Sequence, residues 1–224
     1  MVLALHCALT DRSGRKRVSD TPSPVVDSSL QPAGSRERII EAATALFVRD
    51  GYKATSLKTI TDEVGMSPPA IYWYFKNKQQ LFLASMEHLL DSFLESVEAE
   101  LTAREPTPRL QQFVRAHVRW KLEQREAAGA YTSAIGMRDI VHSLPPSHRG
   151  SLIAKQRRHL QHLREILEAG LRSGAFKIEN VRVTSFAIVT LCEYVQSWYD
   201  PMGELSPDDV ADHYATLVLA MVSA

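Results

Sequence analysis

The chain is poor in cysteine. Cys7 and Cys192 are its only two in 224 residues, and Cys7 lies in a stretch without apolar periodicity. No disulfide framework or thiolate metal site follows from such a pair, and a reducing cytoplasm is the expected setting. Long apolar runs are also missing. Nothing approaches the roughly 20 consecutive apolar residues that a membrane span needs, so no membrane partner is expected. The opening Met1-Val2-Leu3-Ala4-Leu5 is apolar, but His6 interrupts it and no basic residue precedes it, the reverse of a secretory signal. Net charge is absent too, with 26 basic against 26 acidic residues. That excludes a uniformly basic nucleic-acid binder.

The charge is unevenly spread. Residues 1–80 carry 11 Lys and Arg against 8 Asp and Glu, and the remainder carries 15 against 18. A mildly basic head on a mildly acidic body suits a nucleic-acid-contacting head, but the asymmetry is small and only supports other evidence. Residues 1–34 are rich in Ser, Pro, Arg and Asp and read as a flexible arm. An over-extended start of translation is the alternative.

Helical periodicity begins at Ser35, which is placed to N-cap a helix from Arg36 to Asp50 that stops at Gly51. Ile39, Ile40, Ala43, Leu46 and Phe47 make its apolar stripe. A short second helix after Thr55-Ser56 turns Leu57, Ile60 and Val64 inward and ends at Gly65. Ser67 then offers a cap, with Pro68 at the first helical position, for a third helix over 68–75. Its inward residues are Ile71 and Phe75, which leaves Tyr72, Trp73 and Tyr74 on other faces. Further helices are predicted over 77–103, 108–127, 128–141, 146–173, 181–199 and 206–223. No β-alternation, internal repeat or sustained heptad is seen. The fold class is all-α: a three-helix head with a helix-turn-helix over 35–80, then a larger helical domain over 81–224.

The turn Val64-Gly65-Met66-Ser67 between two short helices has the parts of a helix-turn-helix, and three aromatics on the short helix after it suit contact with thymine methyls and phosphates. These residues carry a resemblance. Gly51-Tyr52-Lys53-Ala54-Thr55-Ser56, then Val64-Gly65-Met66-Ser67, then Ile71-Tyr72-Trp73-Tyr74-Phe75-Lys76-Asn77-Lys78, resemble the DNA-binding domain of the TetR family. By position, the resemblance implies that Pro69, Ala70, Tyr72 and Trp73 face base edges. It implies that Lys58 approaches a base or phosphate, and that Ser56, Ser67, Tyr74 and Lys78 hold phosphates. Thr61 departs from the family, which usually has Ala there, and this bears on the angle of the second helix.

In the body, helix 181–199 is apolar nearly all round, and 206–223 opens on a capping signal, Ser206-Pro207-Asp208-Asp209. Similar regulators pair through their last two long helices. The expected interface is Phe186, Val189, Tyr214, Leu217, Val218 and Met221, with a single large core as the alternative. Candidate effector-lining residues are Trp120, Tyr131, Met137, His162, Tyr194 and Trp198. Gly174-Ala175-Phe176 and the segment 198–207 resemble a subgroup that includes acyl-CoA sensors, and Arg157 and Arg158 are placed to meet phosphates.

The implied function is a homodimeric, ligand-responsive regulator, by family default a repressor, that binds a palindromic double-stranded operator and needs no cofactor. Two rivals are an enzyme and an architectural DNA binder. No Gly-rich phosphate loop, nucleophile elbow or zinc-protease helix is found. His159 and His162, three apart, are joined by no carboxylate or cysteine at ligand spacing, so no metal is expected. An architectural role does not explain so large and apolar a body.

Overall fold

The structure, a computed structural model, describes residues 34–123 and 146–223. Among the described residues it is helical, with one isolated bridge between Phe176 and Ser223. Helix α1 spans Ser35–Ala54. Ser35 does not cap it. Gly34, at φ 83°, precedes the helix without a side-chain cap, and Ser35 is its buried first residue. Gly51, at φ 82° and ψ 161°, breaks the helix where the sequence stops it, and a short turn follows. Thr55 seals the break, its Oγ1 donating to the Gly51 carbonyl at 2.9 Å and the Leu46 carbonyl at 3.2 Å.

Helix α2 is Leu57–Glu63, and a 3₁₀ helix follows at Pro68–Trp73. Gly65 takes φ 68° in the turn between them, a left-handed conformation that a side chain strains. The short helix is wound more tightly than the α-helix expected over 68–75. Pro68 and Pro69 supply no N–H, and Ala70 N bonds back to the Ser67 carbonyl at 2.9 Å. Of the residues expected inward on α2, Ile60 is enclosed, whereas Leu57 and Val64 are half-buried. Thr61 is fully buried, its Oγ1 donating to the Lys58 carbonyl at 2.8 Å.

Helix α3, Lys78–Glu100, is N-capped by Asn77, whose side chain accepts from Gln80 N at 2.8 Å. It starts in the head and runs into the body, packing on α1, on α4 (Pro106–Glu123) and on α5 (Pro146–Ser173). Pro106 and Pro108 open α4 rather than breaking the chain before it, because a first turn needs no N–H donors. Residues 124–127 and the helix expected over 128–141 lie outside the described residues. Helix α6 is Val181–Glu193, capped by Asn180 and tightened into a 3₁₀ turn at Tyr194–Ser197. Helix α7, Pro207–Val222, carries the expected capping box: Ser206 Oγ accepts from Asp209 N at 3.2 Å, and the Asp209 carboxylate accepts from Ser206 N at 2.9 Å.

Between α5 and α6 the chain doubles back and lays the Phe176 ring on Gly170, where a Cβ would sit 1.8 Å from a ring carbon. One apolar core runs from Ile39, Phe47, Ile60, Ile71 and Phe75 in the head, along Leu90 and Phe93, to Phe113, Leu163, Val189 and Val218.

Candidate nucleic-acid interface and effector body

Ile71 on the 3₁₀ helix and Phe75 just after it are enclosed, and they fix the helix to the head by its back. Its front is left to solvent: Tyr72 is 58% exposed and Trp73 65%. Pro69 is exposed, while Ala70 and Tyr74 are half-buried. Ser67 is exposed and makes no cap bond, contrary to the capping role expected of it. Ser56 instead serves as the cap of α2, its Oγ accepting from Thr59 N at 3.0 Å. Lys58 is exposed and pairs with Asp62 one turn on at 2.9 Å. So exposed a pair is weak, and it leaves the ammonium free to exchange partners.

Lys78 is held differently. Its Nζ lies 4.3 Å from the centre of the Tyr52 ring, and partial burial pulls its pKa down. Tyr52 in turn packs on Phe82 at 4.7 Å and Phe47 at 5.8 Å between ring centres. Tyr52 is thus a packing partner of Lys78 that the helical periodicity does not reveal, since it follows the break that Gly51 makes within α1. Its place directly after that glycine is the available signal.

In the body, Trp120 is buried, edge-on to Phe93 at 5.0 Å. His162 is half-buried, with Nδ1 3.6 Å from Glu98 Oε1. Both His162 and Glu98 line a cavity of about 580 Å³ together with Leu101, Arg104, Arg109 and Ile166. Tyr131 and Met137 lie outside the described residues. Tyr194 and Trp198 line neither this cavity nor the groove beside it on α5; they are 63% and 53% exposed, beyond the end of α6. Trp198 Nε1 donates to the Tyr214 hydroxyl at 2.9 Å, which ties this end to α7.

The expected pairing face is also corrected in part. Val189 and Val218 are completely enclosed within one protomer, Tyr214 is nearly so and Phe186 is half-buried. Leu217 and Met221 on α7 are 56% and 53% exposed, and Val183, Ala187, Tyr194 and Trp198, on or just beyond α6, are exposed as well. Helices apolar on nearly every side give no periodic signal that separates the inner face from the outer.

A cluster of titratable groups that spacing alone missed lies between α4, α5 and α6. Lys121 Nζ donates to Glu193 Oε2 at 2.8 Å, and His117 Nε2 stands 3.4 Å from Glu193 Oε1. His117 Nδ1 and His159 Nε2 are 3.2 Å apart. Burial pushes the pKa of His117 down, against the pull of Glu193, and pushes that of His159 well below the ordinary value. Burial works to raise Glu193, but the Lys121 ammonium and His117 outweigh it and hold the carboxylate well below its usual range. His159 therefore faces His117, while His162 Nδ1 faces Glu98.

The profile described as bacterial regulatory proteins of the tetR family matches residues 39–85, and that described as the tetracyclin repressor-like C-terminal domain matches 103–222. The HTH-type transcriptional repressor KstR2 of Rhodococcus jostii (strain RHA1) is 26% identical over 206 residues, covering 89% of this chain and 96% of that protein. A solved tetR-family regulatory protein from Rhodococcus RHA1 is 29% identical, with a TM-score of 0.71, covering 86% of this chain and 99% of that one. AibR, solved with isovaleryl coenzyme A and operator DNA, shares the fold at 22% identity and a TM-score of 0.68, covering 81% and 96% of the two chains. The chain belongs to the TetR family of bacterial transcriptional regulators.

Proposed function

We propose that the chain is a cytoplasmic, homodimeric repressor that acts by binding, not catalysis, and leaves a palindromic operator when a small apolar or amphipathic effector enters its body. The exposure of Tyr72 and Trp73 on a helix anchored by Ile71 and Phe75 carries this reading. Two large rings held rigidly in water serve the monomer poorly and a groove of DNA well. The reading head is 35–80 and the body 81–224, with α3 the lever between them. Pro69, Ala70, Tyr72 and Trp73 meet base edges; Lys58, Ser67, Tyr74 and Lys78 meet phosphates. Ser56 acts through the cap of α2.

The effector lies in the cavity at His162, and Trp120, buried against Phe93 and lining neither that cavity nor the groove beside it, supports its wall from behind. An acyl-CoA thioester is a candidate, as AibR is complexed with one. Protomers pair through the exposed face of α6 and α7, which includes Leu217 and Met221. The two reading helices are then set about one DNA turn apart, roughly 34–36 Å, or a multiple of it. An effector lowers affinity by binding better to a dimer whose heads are wrongly spaced.

The test is saturable, salt-sensitive binding of the protein to a palindromic promoter fragment, followed by titration with acyl-CoAs and fatty acids. Specific binding reversed by one of them is expected. Binding equally tight to unrelated DNA and unmoved by every effector would overturn the proposal.

A further inference from the structure

Beside the cavity at His162, on the other flank of α5, lies a groove of about 530 Å³ that reaches the first turn of α6. Arg157, Arg158, Arg164 and Arg182 line it with Leu160 and Gln161, and no carboxylate is among the lining residues. This reverses the balance of residues 81–224, where acidic side chains outnumber basic ones. Four guanidinium groups around one groove repel each other unless an anion sits between them.

Two of the four are braced. Arg158 Nη2 donates to Glu98 Oε2 at 2.9 Å. Arg164 Nε donates to the buried Ser185 Oγ at 3.3 Å, and its guanidinium carbon lies 5.6 Å from the centre of the Phe186 ring. Ser185 Oγ in turn donates to the Arg182 carbonyl at 2.9 Å, which ties α6 to the same side chain. The other two, Arg157 and Arg182, are exposed and have no carboxylate partner among the described residues. Braced arginines with donors to spare and free arginines beside them form an arrangement that grips phosphate bidentately.

We infer that this groove binds the phosphate groups of a phosphorylated ligand, such as the diphosphate handle of a coenzyme A thioester. The inference rests on the reading of the body as an effector sensor. Arg158 borders both the groove and the cavity lined by Leu101, Ile166 and His162. A ligand whose phosphates lie among the arginines therefore has the adjoining cavity at hand for the rest of its length. Here the arginines hold the handle and the body senses what is attached to it.

Calorimetric titration of the full-length protein with coenzyme A, ADP and inorganic pyrophosphate tests the inference. The parent is expected to bind coenzyme A saturably, and the double variant Arg157→Gln/Arg182→Gln about tenfold or more weakly. Its melting temperature should be that of the parent, since both side chains are exposed. Coenzyme A binding more tightly than pyrophosphate identifies a ligand handle, and equal binding identifies a free-phosphate site; either supports the groove. Undiminished binding by the double variant, or no binding of any of the three probes to the parent, overturns it. A decanoic acid arm keeps the two readings apart. Operator release by the acid, with no phosphate compound bound, leaves the effector reading standing and removes only the groove.

Discussion

In the head, the space between α1, α2 and the 3₁₀ helix is filled by Ile39, Ala43, Phe47, Ile60, Ile71 and Phe75, and its buried polar side chains are the hydroxyls of Ser35, Thr55 and Thr61. In the body, the space between α4, α5 and α6 encloses His117, His159, Lys121 and the Glu193 carboxylate. The head keeps its charges out of its core. The body buries charge, which is a poor way to gain stability because desolvation offsets the attraction. What the buried cluster does is tie three helices to one register: α4 through His117 and Lys121, α5 through His159, and α6 through Glu193.

Removing one partner of the buried cluster has the largest expected effect. Glu193→Ala leaves Lys121 and His117 buried without their carboxylate and should cost about 3–5 kcal/mol in denaturant unfolding. Asp62→Ala, which breaks the exposed pair with Lys58 in the head, should leave the melting temperature unchanged. Equal losses from the two substitutions would erase the contrast.

Next in size is the pairing face. Leu217→Asp places a charge on the exposed side of α7 and should sediment as a monomer with its helical content intact. Affinity for the full operator should fall about a hundredfold or more, with little change for a half-site, because the second head no longer binds as part of one molecule. A dimer at micromolar concentration that binds the full operator normally would show that α7 is not the interface.

Acid should separate head from body as well. His117 and His159 are neutral in the fold, with pKa values below the ordinary 6.5, so the unfolded chain takes up protons that the native one refuses. Stability is therefore intact above about pH 6.5 and declines below it, by at most about 1.4 kcal/mol per pH unit for each histidine, until the native imidazoles protonate. Glu193 adds a further loss at lower pH, as its depressed native pKa is approached. Amide exchange followed from pH 7.5 to 5.5 should show α4 to α6 losing protection before α1 and α2. Uniform loss would contradict the separation.

Much of this was legible in the sequence. The break at Gly51, the turn at Gly65, the capping box at Ser206 and the inward Ile71 and Phe75 follow from local chemistry, which a short segment states in full. The outward face of α6 and α7 was not legible, because Val189 and Val218 look like Leu217 and Met221 when a helix is apolar on nearly all sides. Nor was the buried cluster. His117, Lys121, His159 and Glu193 lie up to 76 positions apart, and only tertiary packing brings them together. Ser67 misled for another reason: the residue type suits a cap, but two prolines follow it and Ala70 already takes its carbonyl.

The smallest effect concerns Lys78. Lys78→Ala should weaken binding to all DNA sequences alike and lower the magnitude of the salt slope by about 1 per contact, or about 2 for the dimer. A slope identical to the parent's would mean that its contact with Tyr52 is all that Lys78 provides.

In the proposed function the exposed Tyr72 and Trp73 of the 3₁₀ helix read DNA. The operator affinity of Trp73→Ala, measured by fluorescence anisotropy beside its thermal unfolding, tests this most directly. The account predicts a loss of about 1–3 kcal/mol in binding, a relaxed base preference, and an unchanged melting temperature and oligomeric state. Full operator affinity, or a head that unfolds, would contradict it.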